Sequence, residues 1–255
     1  MIIDADTHVS PYKEPGIIQI PVEELLSQME TSKVDKALCW LTPPYMREID
    51  ASLKYVYEYT KKYPDKLLGF GWADPHFGVK KGKETVKKCL NEYGFYGIKL
   101  NGAQNSFPID NEEMCFPIIE EVAKAGSILA FHIGVDAYDF THPSRAVNVA
   151  RRFPEMPILM VHMGGVGAPE LTNACIQAAE QCGNMHLIGS NVRFNSVVNA
   201  IRKLGASRVS FGSDTPFSIM HADLAAYKAI LSDYFTKKDE KLVLGENIVR
   251  LFKLG

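Results

Sequence analysis

A short apolar run, a loop and a helical pattern follow one another eight times along this chain, roughly thirty residues apart. The runs are Ile2–Val9, Lys36–Leu41, Leu67–Ala73, Tyr96–Leu100, Ile128–His132, Ile158–His162, His186–Ser190 and Arg208–Asp214. Helical signals stand between them. Pro21-Val22-Glu23-Glu24 supplies a proline and an acidic first turn, Ala51 to Lys62 is amphipathic, and Gly126 stops a helix that begins near Glu112. Strands that alternate with helices at this spacing predict a parallel sheet, and eight of them predict its closure into a TIM (β/α)8 barrel. The structural alternative, a doubly wound open sheet, calls for a Gly-x-Gly-x-x-Gly turn after the first strand, which the sequence lacks. A two-domain reading needs a linker. None interrupts the pattern, so residues 1–255 are expected to form one domain.

Composition enters through what it excludes. The net charge is −2, which provides no general attraction to nucleic acid or to an anionic membrane surface. No apolar run reaches membrane-spanning length, and the first expected strand leaves no room for a signal peptide, so a complete, cytoplasmic protein is expected. The five cysteines are odd in number and form no Cys-x-x-Cys pair, which argues against disulfides and structural zinc. The expected partner is therefore a small-molecule substrate, and the reading is compatible with a homodimer.

In a barrel of this kind the chemistry sits at the carboxyl ends of the strands. The first run, Ile3-Asp4-Ala5-Asp6-Thr7-His8, places Asp4, Asp6 and His8 at alternate positions, so strand geometry predicts that the three share a face and that Ile3 and Ala5 point to the other. Buried ionisable groups need a partner, either a bound cation or hydrogen bonds in a polar loop. The other strand ends add Lys99, His132, His162 and Asp214, each set by alternation opposite the outward apolar residues. One histidine at a strand end is ordinarily a core residue with its hydrogen bonds met. Six such groups on five strands point instead to a metal centre.

Several pieces of the chain, in order, carry a resemblance: Ile3-Asp4-Ala5-Asp6-Thr7-His8, Phe131-His132-Ile133-Gly134, Val161-His162-Met163-Gly164-Gly165, Phe211-Gly212-Ser213-Asp214-Thr215-Pro216-Phe217, and the closing Leu244 to Phe252. Together they resemble the amidohydrolase superfamily, in particular its small single-metal barrels, the branch that includes aminocarboxymuconate semialdehyde decarboxylase. The resemblance implies one divalent ion, zinc or manganese, on Asp6, His8, His132 and Asp214, with His162 beside it and Asp214 and His162 as the catalytic pair. The departure is Asp6, which stands where the usual pattern has histidine, as in some decarboxylating members. Asp4, lying deeper, is expected to support the site rather than ligate.

Lys99 has three readings: an ion pair with Asp4 or Asp6, a clamp on a substrate carboxylate, or, as the resemblance to the two-metal members of the superfamily implies, a carbamylated bridge between two ions. Arg193, after the seventh strand, is its companion candidate for substrate binding. His76, His142 and His221 fall in loops of the active face and His186 at the opposite end. Tyr12, Tyr45, Trp72, Phe107, Tyr138, Phe140, Phe217 and Met220 also fall near the mouth, favouring a planar or partly apolar substrate. The expected activity is metal-dependent hydrolysis of a small carboxylate-bearing compound. Nonoxidative decarboxylation of a planar acid is the alternative, and a non-catalytic binding barrel the minor one.

Overall fold

The computed structural model describes residues 1–13, 16, 18–42, 49–165 and 168–255. Among the described residues nine parallel strands follow one another in chain order: β1 (Ile3–Val9), β2 (Lys36–Leu41), β3 (Leu67–Gly69), β4 (Gly71–Trp72), β5 (Gly97–Leu100), β6 (Ile128–His132), β7 (Ile158–Val161), β8 (Met185–Ile188) and β9 (Val209–Ser210). β3 and β4 are one barrel strand interrupted at Phe70, which leaves the eight staves expected. The last strand meets the first. Ala5 N donates to Phe211 O at 3.1 Å, Asp214 N to Asp6 O at 2.8 Å and His8 N to Thr215 O at 2.7 Å, and these bonds close the (β/α)8 barrel.

Alternation sorts the strand residues into two apolar layers. Leu38, Trp40, Leu68, Phe70, Ala130, Leu159, Val161 and Ile188 fill the barrel, with Phe252 of the C-terminal helix Asn247–Phe252 packed on Phe70 as a plug at its base. Ala37, Cys39, Ile98, Leu100, Leu129, Phe131 and Met160 face the helices instead. Gly97 shows how full the interior is. A Cβ there would lie 2.1 Å from Ile128 O and 2.3 Å from the Phe70 ring, so the position admits no side chain. The five cysteines are buried and free, and no helix among the described residues is long and apolar enough to cross a membrane.

Two expectations about parity need correction. In β1 the pairing with β2 slips by one residue between Asp4, opposite Ala37, and Thr7, opposite Cys39. Parallel partners share a face, so Asp4 follows outward Ala37 while His8 follows inward Trp40. The bulge thus puts Ile3 and Ala5 inside the lower barrel, Asp6 and His8 inside the upper barrel, and Asp4 outside. The second correction concerns His162. Val161 is itself an interior residue, so strict alternation would send His162 outward; the strand ends first, and φ values of 68° at His162 and 33° at Met163 turn the backbone back toward the mouth.

Candidate metal centre

Asp6 and His8 rise from the bulged β1, Trp40 from β2, and Asp214 from the loop after β9. His8 Nε2 lies 3.5 Å from both Asp6 Oδ1 and Asp214 Oδ1, and one donor atom from each of the three residues falls within 4.8 Å of the others. All three are buried. His8 Nδ1 is 2.9 Å from the Leu41 carbonyl, which can only accept, so Nδ1 carries the hydrogen. The Trp40 indole N–H reaches both Asp6 Oδ1, at 3.0 Å, and His8 Nε2, at 3.1 Å, which requires a lone pair on Nε2. Two carboxylates and a lone-pair nitrogen thus converge with no proton between them. Buried acceptors in that arrangement repel one another until a cation is added, and oxygen with imidazole nitrogen is a donor set that divalent zinc or manganese accepts. The residues fit the ion. A backbone carbonyl on the far nitrogen of the ligand histidine is also the usual way such a ring is held.

The charges respond to one another as well as to burial. Burial alone would raise the Asp6 pKa, but His162, His8 and Lys99 hold it well below the usual carboxylate range. For His8, burial and Lys99 oppose a positive charge and the facing Asp214 and Asp6 carboxylates outweigh them, leaving its pKa raised: the two anions favour a cation at this point, either a proton on Nε2 or a metal ion in its place. Burial keeps the His162 pKa low. Asp4, outside the barrel, is pushed up to about 7 by burial although one of its oxygens accepts from Ser213 N at 2.9 Å and Asp6 N at 3.1 Å. It buttresses the β1 and β9 ends, and it is no member of the ligand cluster.

His132 stands apart from the three. Its Nε2 donates to Asp136 Oδ1 at 2.9 Å and its ring meets His162 edge-on at 4.7 Å. Gly134 makes room for that pair, since a Cβ there would lie 2.5 Å from Asp136 Oδ1 and 2.8 Å from His132 Nε2. His132, His162, Asn191 and Asp214 line a common open cleft of about 200 Å³. His162, Asn191 and Asp214, at the ends of three successive staves, all have left-handed backbones, with φ of 68°, 55° and 62°. Such conformations cost on the order of 1 kcal/mol each and collect where side chains must be aimed.

Two substrate-binding candidates do not line this cleft. Lys99 is fully buried, its Nζ 3.8 Å from the centroid of the Trp40 ring and 5.3 Å from that of Trp72, with no hydrogen-bond partner among the described residues. Burial lowers its pKa. No ion pair joins it to Asp4 or Asp6 among the described residues, and the indole faces between which it lies seal it from an entering carboxylate. Arg193 is exposed, at the start of helix Phe194–Leu204, and lines a neighbouring cavity of about 190 Å³ with Asp223 and Tyr227. Of the residues expected at the mouth, Trp72, Phe107 and Met220 are packing, Phe140 is half-buried, Tyr12, Tyr138 and Phe217 are exposed, and Tyr45 lies outside the described residues. Phe217 packs edge-on to His8 at 5.5 Å. His76 and His142 are held by loop hydrogen bonds, to Ser106 O and Ser144 respectively.

Trp40, Asp136, Ser190 and Asn191 complete the centre without having been singled out from the sequence. Ser190 shares the inward parity of His186 and Ile188, a signal that was available. Asn191 donates to Asp214 Oδ2 at 2.6 Å. Nothing local marks Trp40, which reads as one more apolar strand residue.

The amidohydrolase family model matches residues 3–254. No curated protein matches the sequence. Solved structures do match the fold. The 2,6-dihydroxybenzoate decarboxylase from Rhizobium is similar with a TM-score of 0.77 and 19% identity, covering 99% of this chain and 98% of that one. The 5-carboxyvanillate decarboxylase from Novosphingobium aromaticivorans, complexed with manganese and 4-hydroxy-3-methoxy-5-nitrobenzoic acid, gives 0.80 and 17%, covering 100% and 96%. A dihydroxybenzoic acid decarboxylase from Polaromonas with manganese and 2-nitroresorcinol gives 0.75 and 17%, covering 99% and 97%. These likenesses concern the fold, whereas the family match spans nearly every residue that builds the barrel and its metal-fitting cluster: the chain belongs to the amidohydrolase family.

Proposed function

We propose that the protein is a metal-dependent, nonoxidative decarboxylase of a small planar aromatic acid, with manganese as its ion. One observation carries the reading: the solved structures similar to this chain along its whole length include decarboxylases of hydroxylated benzoic acids. The preference for hydrolysis over decarboxylation is thereby reversed. Asp6 supports the same direction, because replacing an imidazole by a second carboxylate makes the ligand set harder and suits manganese better than zinc.

When bound, the ion would be held by Asp6, His8 and Asp214, with His132 the further candidate, and would supply a Lewis-acid anchor for substrate oxygens. The protein's own residues handle the proton. His162 or Asp214 delivers it to the ring carbon bearing the carboxylate, forming a C–H bond. The C–C bond to the carboxylate then breaks, its electron pair returns to the ring, and carbon dioxide departs. Asn191 keeps the Asp214 carboxylate turned to the cleft, and Phe217 offers an apolar edge to a planar ring at its mouth.

Isotope placement tests this against hydrolysis. Turnover of hydroxybenzoic acids in D₂O by manganese-loaded protein is expected to leave deuterium on the ring carbon of the product. Turnover in H₂¹⁸O that labels a product carboxylate, with no deuterium on carbon, would reject decarboxylation in favour of hydrolysis.

A further inference from the structure

Ser190 is fully buried beside two residues that the proposed reaction uses, yet the reaction gives it no part. Its Oγ lies 2.5 Å from Asp6 Oδ2 and 2.9 Å from His162 Nδ1. A hydroxyl has one hydrogen to give. The ionised Asp6 carboxylate can only accept, so that hydrogen goes to Asp6, and the oxygen turns a lone pair toward the imidazole. The Ser190 backbone carbonyl, 3.4 Å from the same nitrogen, can only accept too. Asp6 Oδ2, 3.6 Å from Nδ1 and beyond hydrogen-bond reach, is a third acceptor on that side, so all the neighbours of Nδ1 call for an N–H there. His162 Nε2 makes no hydrogen bond among the described residues, and His162 lines the open cleft.

We infer that Ser190 is a positioning residue that holds His162 in its Nδ1–H tautomer, leaving the Nε2 lone pair to take up a proton, the substrate's ring-hydroxyl hydrogen, which it then passes to the ring carbon. Asp6 is tied to the same relay. Its Oδ1 faces the metal-fitting cluster and the Trp40 N–H, while its Oδ2 takes the Ser190 hydroxyl, so one carboxylate connects the ion's ligand set to the proton-carrying imidazole. The hydroxyl is the closer of the two Nδ1 partners by 0.5 Å, the difference between 3.4 and 2.9 Å, and it is the one that a side-chain substitution removes. The kinetic part of the inference rests on the reading of His162 as a proton carrier, whereas the tautomer does not.

The test is a two-bond ¹H–¹⁵N correlation spectrum of histidine-labelled full-length protein, loaded with diamagnetic zinc and, separately, metal-free, at a pH where His162 is neutral. The wild type should show Nδ1 protonated, Ser190→Ala a mixture with the Nε2–H form, and Ser190→Thr the wild-type pattern. A wild-type His162 protonated on Nε2, or an alanine variant with an unchanged tautomer, overturns the inference whatever the reaction proves to be. With a substrate in hand, Ser190→Ala should lower kcat roughly tenfold with KM held within about twofold, and Ser190→Thr should recover it. Wild-type kcat in the alanine variant would overturn the positioning role, whereas failure of the D₂O labelling with the expected tautomer in place would remove only the decarboxylase reading.

Discussion

Trp40 divides its indole between two tasks: the N–H is shared by Asp6 and His8, and the ring face lies under the Lys99 ammonium. A cation on a tryptophan face is held by the ring quadrupole, and together with the Asp6 and Asp214 carboxylates this works against the burial that lowers the Lys99 pKa; Lys99 lies beneath the ligand cluster without occupying it. The division of labour among the neighbours leads to a prediction at the same scale. His162→Asn and Asp214→Asn should each lower kcat by roughly a hundredfold or more, since each removes a proton carrier. Their metal contents should differ. Elemental analysis is expected to find a full equivalent in His162→Asn and clearly less in Asp214→Asn; equal depletion in both would make His162 a ligand.

Among the strands, β8 shows how an element can carry a stability cost and a catalytic support at its two ends. His186, near its start, is buried inside the barrel with Nε2 2.9 Å from Ser210 Oγ. Burial, reinforced by Arg250 and Arg208, pushes its pKa down to about 3. A base with a depressed folded pKa stays neutral in the native state while the unfolded chain takes up a proton. Its contribution to stability is therefore full above the unfolded value near 6.5 and is lost as pH falls toward 3. Linkage gives about 1.4 kcal/mol per pH unit, so roughly 2 kcal/mol should disappear between pH 6.5 and pH 5. His186→Gln, which keeps a polar group for Ser210, should show a loss smaller by about that amount in urea titrations at the two pH values. Equal losses would mean that His186 is protonated in the folded protein. At the other end, the turn beyond Ile188 presents Ser190 to Asp6 and His162, and Asn191 to Asp214.

For the molecule as a whole, the same residues that fit an ion also sit on the seam that closes the barrel. Asp6 and His8 belong to the first stave and Asp214 to the segment after the last, and backbone bonds already join them across that seam. An ion bridging the two ends should therefore stabilise the entire fold. At one hundred times its dissociation constant it contributes about 2.7 kcal/mol, which in a chain of this size corresponds to a rise in Tm of roughly 5 to 10 °C. Calorimetry with and without manganese checks this, with Asp6→Ala as the control expected to show no manganese-dependent rise. A wild-type Tm that ignores the metal would argue against a site at the seam.

What could be read from the chain alone was whatever a single strand or helix determines for itself. The eight repeats and the strand-end positions of Asp6, His8 and His132 follow from local periodicity, because alternation is a property of one backbone segment, whereas Asp214 lies in the loop beyond β9 on a left-handed backbone that alternation does not set. The departures arise where two segments must agree. Pairing with β2 slips β1 by a residue and turns Asp4 away from Asp6 and His8. A left-handed turn after β7 brings His162 back to a mouth that alternation would have denied it. Lys99 alternates inward as expected, but Trp40 and Trp72, from other staves, decide that it is sealed. Only closure of the barrel brings Asp6 to Ser190 and Asp214, because hydrogen bonds between residues so far apart in sequence exist only once the last stave has paired with the first.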